Sequence, residues 1–243
     1  MKLLNKHNIL LFILTISMVS CQLDVTQNGS ITGNKKVRTE ERPIPETYSK
    51  LEVQEGITVY LSMNSDEKIT VEADENLLKV IKTEIKGGVL KIYSDPNIKK
   101  AKARNVYIST AHINEIESSS GSSVISENTL INTNMTINSS SGSSIRLQIN
   151  TTNLISKSSS GSQIKLNGKT TNLTISASSG SSINAYGLTA KEVVSKASSG
   201  SHIEVTATQN LTGKSSSGGS IHYKGNPKHI DKKTSSGGNV SAG

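Results

Sequence analysis

From residue 116 to the end of the chain, aliphatic and polar positions follow a pattern that restarts about every 20 residues. A serine-glycine block recurs seven times, at 118–124, 139–145, 158–164, 177–183, 197–203, 215–221 and 234–240. Its central glycines are Gly121, Gly142, Gly161, Gly180, Gly200, Gly218 and Gly237, spaced by 21, 19, 19, 20, 18 and 19 residues. Three residues after each glycine stands Val124, Ile145, Ile164, Ile183, Ile203, Ile221 or Val240. Seven residues before six of the glycines stands Met135, Leu154, Leu173, Val193, Leu211 or Ile230.

A short, near-constant period carrying aliphatic residues at fixed offsets predicts stacked rungs: an all-β, right-handed parallel β-helix or β-solenoid. One rung cannot bury its own apolar face, so the ladders must point inward and stack on their neighbours. A flexible Gly/Ser linker has no reason to carry such ladders, so the serine blocks read as structural corners. The glycine supplies a backbone conformation that other residues adopt only at a cost. The serines are expected to form columns of hydroxyls about 4.8 Å apart.

Upstream, period-two alternation places strands at Leu51, Val53, Ile57, Val59 and Leu61, broken at Gly56, and at Ile69 and Val71. Further strands follow at Val89–Tyr93, after the turn Gly87-Gly88, and at 105–108. Between them, 74–81 reads as one short helical turn opened by acidic residues. The expected organisation is a smaller N-terminal β region at 43–115 preceding a Ser/Gly-repeat β-solenoid at 116–243, whose last rung is incomplete and frays.

Composition sharpens this picture. The chain is 33% hydrophobic and 3% aromatic, with no Trp and one Phe. That inventory suits thin, regular rungs filled by Ile, Val, Leu and small residues. Formal net charge is +8. Residues 22–115 balance at 14 basic and 14 acidic, whereas 116–243 carry 11 basic against 5 acidic. The late lysines fall one or two per repeat without aromatic partners for base stacking, which argues against nucleic acid as a partner.

Residues 1–20 hold two lysines, Lys2 and Lys6, and then an apolar stretch from Ile9 to Val19. That stretch is too short for a permanent membrane span and reads as a signal peptide. Ser17-Met18-Val19-Ser20 before Cys21 resembles the lipobox of bacterial lipoproteins, which implies acylation of Cys21, the single cysteine. Acyl chains hold the protein at about 0.8 kcal/mol per buried CH₂. Residues 21–42 then form a flexible tether. Gln22 follows the cysteine, so the aspartate that retains some lipoproteins in the inner membrane is missing, and the outer membrane is the expected location.

Candidate chemistry is sparse. Glu72, Asp74 and Glu75 form a small acidic cluster that reads as a solvated turn. His202, His222 and His229 are the only histidines after residue 112 and Asp231 is the sole aspartate after Asp95, so an enzyme reading of the serine blocks turns on them. That reading requires them to converge in one groove. No catalytic residue, cofactor or metal ligand is expected.

The segments TYSKLEVQEGITVYL (47–61) and ITVEADENLLKVIKTEIKGGVLKIYSD (69–95), followed by the repeated SSGS block, resemble the head GIN domain family of auto-transporter adhesins over about residues 47–225. The resemblance implies a β-helix-like fold, an adhesin-like role and no catalytic residues. Thr58 follows Gly56-Ile57 where the family's name suggests Asn. The expected function is a lipid-anchored, adhesin-like envelope protein that binds a surface, glycan or protein through a repetitive β-solenoid face. The alternatives are a non-catalytic, self-associating structural component and, last, a glycan-active enzyme.

Overall fold

A computed structural model describes residues 29–243. The leader, Cys21 and the first residues of the expected tether lie outside the described residues. The described chain is nearly all β, a parallel β-solenoid of about seven turns with rungs of about 19 residues and a smaller N-terminal β region.

The strands, in chain order, begin with β1 (Ile31–Thr32), β2 (Val37–Arg42), β3 (Lys50–Val53), β4 (Thr58–Met63) and β5 (Lys68–Asp74). After a 3-10 turn at Glu75–Leu77 come β6 (Ile81–Lys86), β7 (Val89–Ser94), β8 (Ile98–Lys100), β9 (Arg104–Thr110) and β10 (Glu115–Ser118). The long strands are β11 (Ser123–Ser139), β12 (Ser144–Ser158), β13 (Gln163–Ala177), β14 (Ser182–Ala197) and β15 (His202–Ser215). The chain closes with β16 (Ser220–Lys224), β17 (His229–Thr234) and β18 (Asn239–Ala242).

Each long strand runs from one serine corner to the next and supplies two walls. Its first half follows the corner, and its second half leads into the next corner. Neighbouring rungs pair in parallel with equivalent residues aligned, as Ile145 with Ile164 and Leu154 with Leu173. The two aliphatic ladders point inward. Val124, Ile145, Ile164, Ile183, Ile203 and Ile221 are fully or almost fully buried, as are Met135, Leu154, Leu173, Val193 and Leu211. Ile230 departs from its ladder and is exposed, because it lies in the last rung with no further rung to cover it. Pro227 has no N–H to give to a ladder and lies in the break that divides this rung into β16 and β17.

The N-terminal region is not simply stacked before the repeat. Strand β3 lies between β10 and β7, and β4 lies between β11 and β9, all in parallel. The stretch 50–63 is therefore a rung with the same corner, at Glu55-Gly56. Strands β7 and β9 return to stack on its outer side before the chain crosses to β10. The antiparallel pairs β6–β7, β5–β9 and β2–β5 cover the stack beyond them. The segment read as a tether thus ends in structure. Val37–Arg42 pairs along β5, giving the exposed edge of that strand a ladder of hydrogen bonds.

Candidate functional site

The corner is the feature repeated most faithfully. At each serine block the residue before the glycine and the glycine itself both have positive φ, as Ser160 at 51° and Gly161 at 69°. The Ser162 N–H donates to the Ser159 carbonyl at 3.1 Å, closing a tight two-residue turn. Two consecutive left-handed residues make a type I′ turn, whose favoured sequence is Asn-Gly. Serine is not favoured: a left-handed L-residue costs about 1–2 kcal/mol. Even so Ser120, Ser141, Ser160, Ser179, Ser199, Ser217 and Ser236 all occupy this position, with φ between 47° and 53° and exposed side chains.

The serine after each glycine has a different environment. Ser122, Ser143, Ser162, Ser181 and Ser201 are buried, and each hydroxyl donates to a backbone carbonyl of the preceding rung: Val53, Ser118, Ser139, Ser158 and Ala177, at 2.7 to 2.8 Å. Several also accept from a backbone N–H of their own corner, as Ser162 does from Ser159 at 3.1 Å. The expected columns of hydroxyls form at this corner, and across rungs each buried hydroxyl bonds a backbone carbonyl and not the next hydroxyl. At the corner hydroxyl pairs form within a rung, such as Ser139 with Ser143 at 2.8 Å, whereas away from it Thr151 bonds Thr170 of the next rung at 3.1 Å.

The wall leading into the corners carries further columns on its outer side. Four residues before each corner glycine stand Glu52, Glu117, Asn138, Lys157, Ser176, Lys196, Lys214 and Lys233, aligned rung on rung. The column runs from acidic to basic along the solenoid. At its acidic end Lys50 lies 3.0 Å from Glu52, 3.4 Å from Glu115 and 3.2 Å from Glu117. Partial burial opposes the Lys50 charge, but hydrogen bonds to Glu52 and Glu117 outweigh it and raise the ammonium well above its ordinary value. A groove of about 530 Å³ runs beside this column, lined by Glu117, Asn138, Lys157 and the serines Ser119, Ser140 and Ser159.

Eight residues before the glycines, Asn134, Asn153 and Asn172 form an amide ladder. Asn153 donates to Asn134 and Asn172 donates to Asn153, each at 2.7 Å. Glu192 continues the column and accepts from Asn210 at 2.7 Å. This ladder stands in the sequence at a fixed offset, but a search confined to apolar ladders passes over it.

The opposite wall brings together two of the late histidines. His202 and His222 have ring centroids 5.1 Å apart. His202 Nδ1 is 2.8 Å from Ser220 Oγ and its Nε2 is 3.6 Å from Glu204. Glu204 is held in turn by the Asn184 amide. His229 and Asp231 lie on β17, on the other wall, so the convergence required by the enzyme reading is not met. Among the described residues, no group of three or more His, Cys, Asp or Glu side chains is arranged to hold a metal ion.

Within the acidic cluster Glu75 is exposed as expected, but Asp74 is not solvated. Asp74 is completely buried and accepts from the N–H groups of Lys35 at 2.8 Å, Lys102 at 3.0 Å and Ala103 at 3.0 Å. Burial alone raises its pKa, but the three N–H donors and the nearby Lys102 charge overcome this and hold it below the ordinary value of 3.8. Three backbone donors pointing at one site make a carboxylate there worth burying.

The family model described as "Putative auto-transporter adhesin, head GIN domain" matches residues 47–227. No curated protein matches the chain. Among solved structures, a putative adhesin from Bacteroides fragilis is similar with a TM-score of 0.81 at 21% identity, covering 88% of this chain and 100% of that one. A putative lipid binding protein from Parabacteroides distasonis is similar with a TM-score of 0.71 at 22% identity, covering 88% and 100%. A putative adhesin from Parabacteroides merdae is similar with a TM-score of 0.69 at 18% identity, covering 88% and 99%. At these identities the likeness establishes the fold.

Proposed function

Because the chain belongs to the head GIN domain family, we propose that it is a lipid-anchored envelope protein that attaches to a glycan surface through its serine corner and the adjoining wall. Cys21 carries the acyl anchor in this reading, the outer membrane is its location, and no catalytic step is involved.

The observation that carries the reading is the exposed corner serine. Strain retained at a solvent-facing position points to use rather than to packing. Each hydroxyl both donates and accepts, which suits the hydroxyls of a sugar. Columns of serine, lysine and asparagine at a spacing of about 4.8 Å give many weak contacts, so attachment rests on multivalency.

The test replaces Ser141, Ser160 and Ser179 together by Gly, which the left-handed backbone accepts without strain. The expected result is a melting temperature at or above that of the parent and a marked loss of adhesion of protein-coated beads to glycan-bearing surfaces. Unchanged adhesion would overturn the reading. Protease shaving of intact cells after palmitate labelling tests the placement. Removal of the β domain with the labelled stub retained supports an outward-facing lipoprotein, and survival of the domain until the outer membrane is permeabilised rules out attachment to outside surfaces.

A further inference from the structure

Two basic stretches that lie far apart in the sequence meet at the N-terminal end of the solenoid. The first is Lys35-Lys36-Val37-Arg38, and the second is Lys99-Lys100-Ala101-Lys102-Ala103-Arg104. The short parallel pair β1–β8 joins them, aligning Thr32 with Lys100. The Gly33 N–H donates to the Lys100 carbonyl at 2.7 Å. The buried Asp74 carboxylate clamps both stretches from beneath through its bonds to the Lys35, Lys102 and Ala103 N–H groups. A side chain at residue 33 would collide with that carboxylate, so glycine lets the first stretch close over it.

The result is a notch of about 460 Å³ whose lining residues include the cations Lys35, Lys100, Lys102 and Arg104. Among the described residues, none of these four makes an ion pair, although ion pairs hold Lys50, Lys68 and Arg42 elsewhere in the same region. Lys36, Arg38 and Lys99 are exposed in the same two stretches. Glu75, whose N–H bonds the Lys36 carbonyl, is the acidic neighbour on the rim. The carboxylate of Asp74 is occupied by its three backbone donors. Three lysines without ion pairs line one concave site, Arg104 extends from it toward the Gly56 corner, and together they form a basic surface for anions close to where the described chain begins.

We propose that this notch docks the N-terminal end of the solenoid on a bilayer surface bearing anionic phospholipid. The inference rests on the reading that the protein is held at a membrane through its N-terminus. Seven residues, or eight chain steps, separate Cys21 from Gly29, which places Gly29, four residues before Gly33 of the notch, within about 28 Å of an anchor at Cys21, at the extended limit of 3.3–3.6 Å per residue. Basic residues close to a membrane are attracted by the negative surface potential, and each contributes about fivefold to partitioning. A basic patch beside an anchor acts as a second membrane signal. It also fixes which way the solenoid faces: the notch end lies on the bilayer, and the lysine column from Lys196 to Lys233 stands at the far end.

The test is amine-reactive footprinting of the full-length chain in phosphatidylcholine vesicles with and without phosphatidylglycerol, read by mass spectrometry. Lys35, Lys100 and Lys102 are expected to react at least about fivefold more slowly in the anionic vesicles, while Lys214 and Lys233 react at the same rate in both. Added salt should abolish the protection, and the double variant Lys100→Gln/Lys102→Gln should lose it at Lys35. Equal rates in the two vesicles overturn the proposal, as does equal slowing at Lys214 and Lys233, which would report net charge alone. Protection by inorganic phosphate in the neutral vesicles also overturns it, in favour of a small-anion pocket. Palmitate labelling of the same preparation decides the anchor separately: protection without label sinks the acylation reading and leaves the docking surface standing.

Discussion

Replacing Ser162 by Ala removes one of the hydroxyls that fasten rung to rung. Three hydrogen bonds go with it: the donation to the Ser139 carbonyl at 2.8 Å, the contact with Ser158 Oγ at 2.8 Å, and the acceptance from the Ser159 N–H at 3.1 Å. None of the partners is left bare. The Ser159 N–H still bonds the Ser139 carbonyl at 3.0 Å, which satisfies both, and the Ser158 hydroxyl still reaches the Ser162 carbonyl at 3.2 Å. The penalty for an orphaned buried group, about 1–3 kcal/mol, therefore does not apply, and the loss is that of the net bonds alone. With one strong bond and two weaker ones gone, the expected cost is about 1–2 kcal/mol. For a domain of this size that lowers the melting temperature by roughly 2–8 °C.

Ser158→Ala is the internal comparison. The same column already holds Ala177 and Ala197, and Ser201, whose rung has Ala197 there, keeps its bond to the Ala177 carbonyl at 2.8 Å. Ser158→Ala should therefore cost less than about 1 kcal/mol, and the two substitutions should couple by about 0.5 kcal/mol or more in a double-mutant cycle. Urea titration of the three variants measures both quantities. A Ser158→Ala loss equal to or larger than that of Ser162→Ala would refute the claim that the carbonyl staple, and not the hydroxyl pair, holds adjacent rungs.

Four further outcomes are expected. Ser156 and Ser195 are fully buried with no hydrogen-bond partner for the hydroxyl, so Ser156→Ala should be neutral or stabilising by up to about 1 kcal/mol in a urea titration. Gly168 has φ of 117°, and a Cβ there would overlap the Ile149 carbonyl oxygen, so Gly168→Ala should destabilise by about 3 kcal/mol or more and be visible as a lost transition in thermal melts. The depressed pKa of Asp74 stabilises the fold in full above the ordinary carboxylate value, and this contribution should vanish as pH falls through the lower folded value. Hydrogen-exchange protection at Lys35, Lys102 and Ala103, taken relative to the free-peptide rate, should fall over that acid range, and Asp74→Asn should flatten the dependence. Finally, β17 pairs only with β15 and β18 ends the strand order. Lysines on an exposed edge discourage pairing with other chains, so Lys232→Thr/Lys233→Thr should give concentration-dependent association in sedimentation experiments.

The sequence revealed the rungs because a solenoid repeats its demands: the interior needs an aliphatic residue at the same offset in every turn, and the corner needs a glycine. Cys21 and the leader fall outside the described residues and keep the standing of a motif. What escaped was whatever the repeat does not encode. The corner at Glu55-Gly56 has the same backbone as the others but carries no serine, so it reads as a break in a strand pair. The insertion of β3 between β7 and β10 reverses spatial order relative to chain order, and local periodicity holds no record of which rung stacks on which. Asp74 looked solvated because its partners are backbone N–H groups at residues 35, 102 and 103, brought close only by the fold. The basic notch was hidden for a related reason: segment totals cancel, with 14 basic and 14 acidic residues over 22–115, whereas the fold sorts those charges in space.

The seven blocks also serve as seven trials of one design, and their variations separate the serines by role. Three residues before the glycine, Ser gives way to Ala177, Ala197 and Thr234, as a position whose hydroxyl is dispensable should. Just after the glycine, Ser gives way only to Gly219 and Gly238. There the backbone closes in so far that a Cβ would meet Ala197 or Ser215 main-chain atoms of the preceding rung. Immediately before the glycine, the residue is Ser in all seven blocks, although the side chain is exposed and the backbone is strained. Packing does not explain that constancy, since nothing is packed there, and turn chemistry favours Asn or Gly. On the proposed reading, a hydroxyl held against local preference in all seven blocks, though not at the Glu55-Gly56 corner, is accounted for by what it meets outside the protein. That argument makes the exposed corner, rather than the buried staple beside it, the place to look for the ligand.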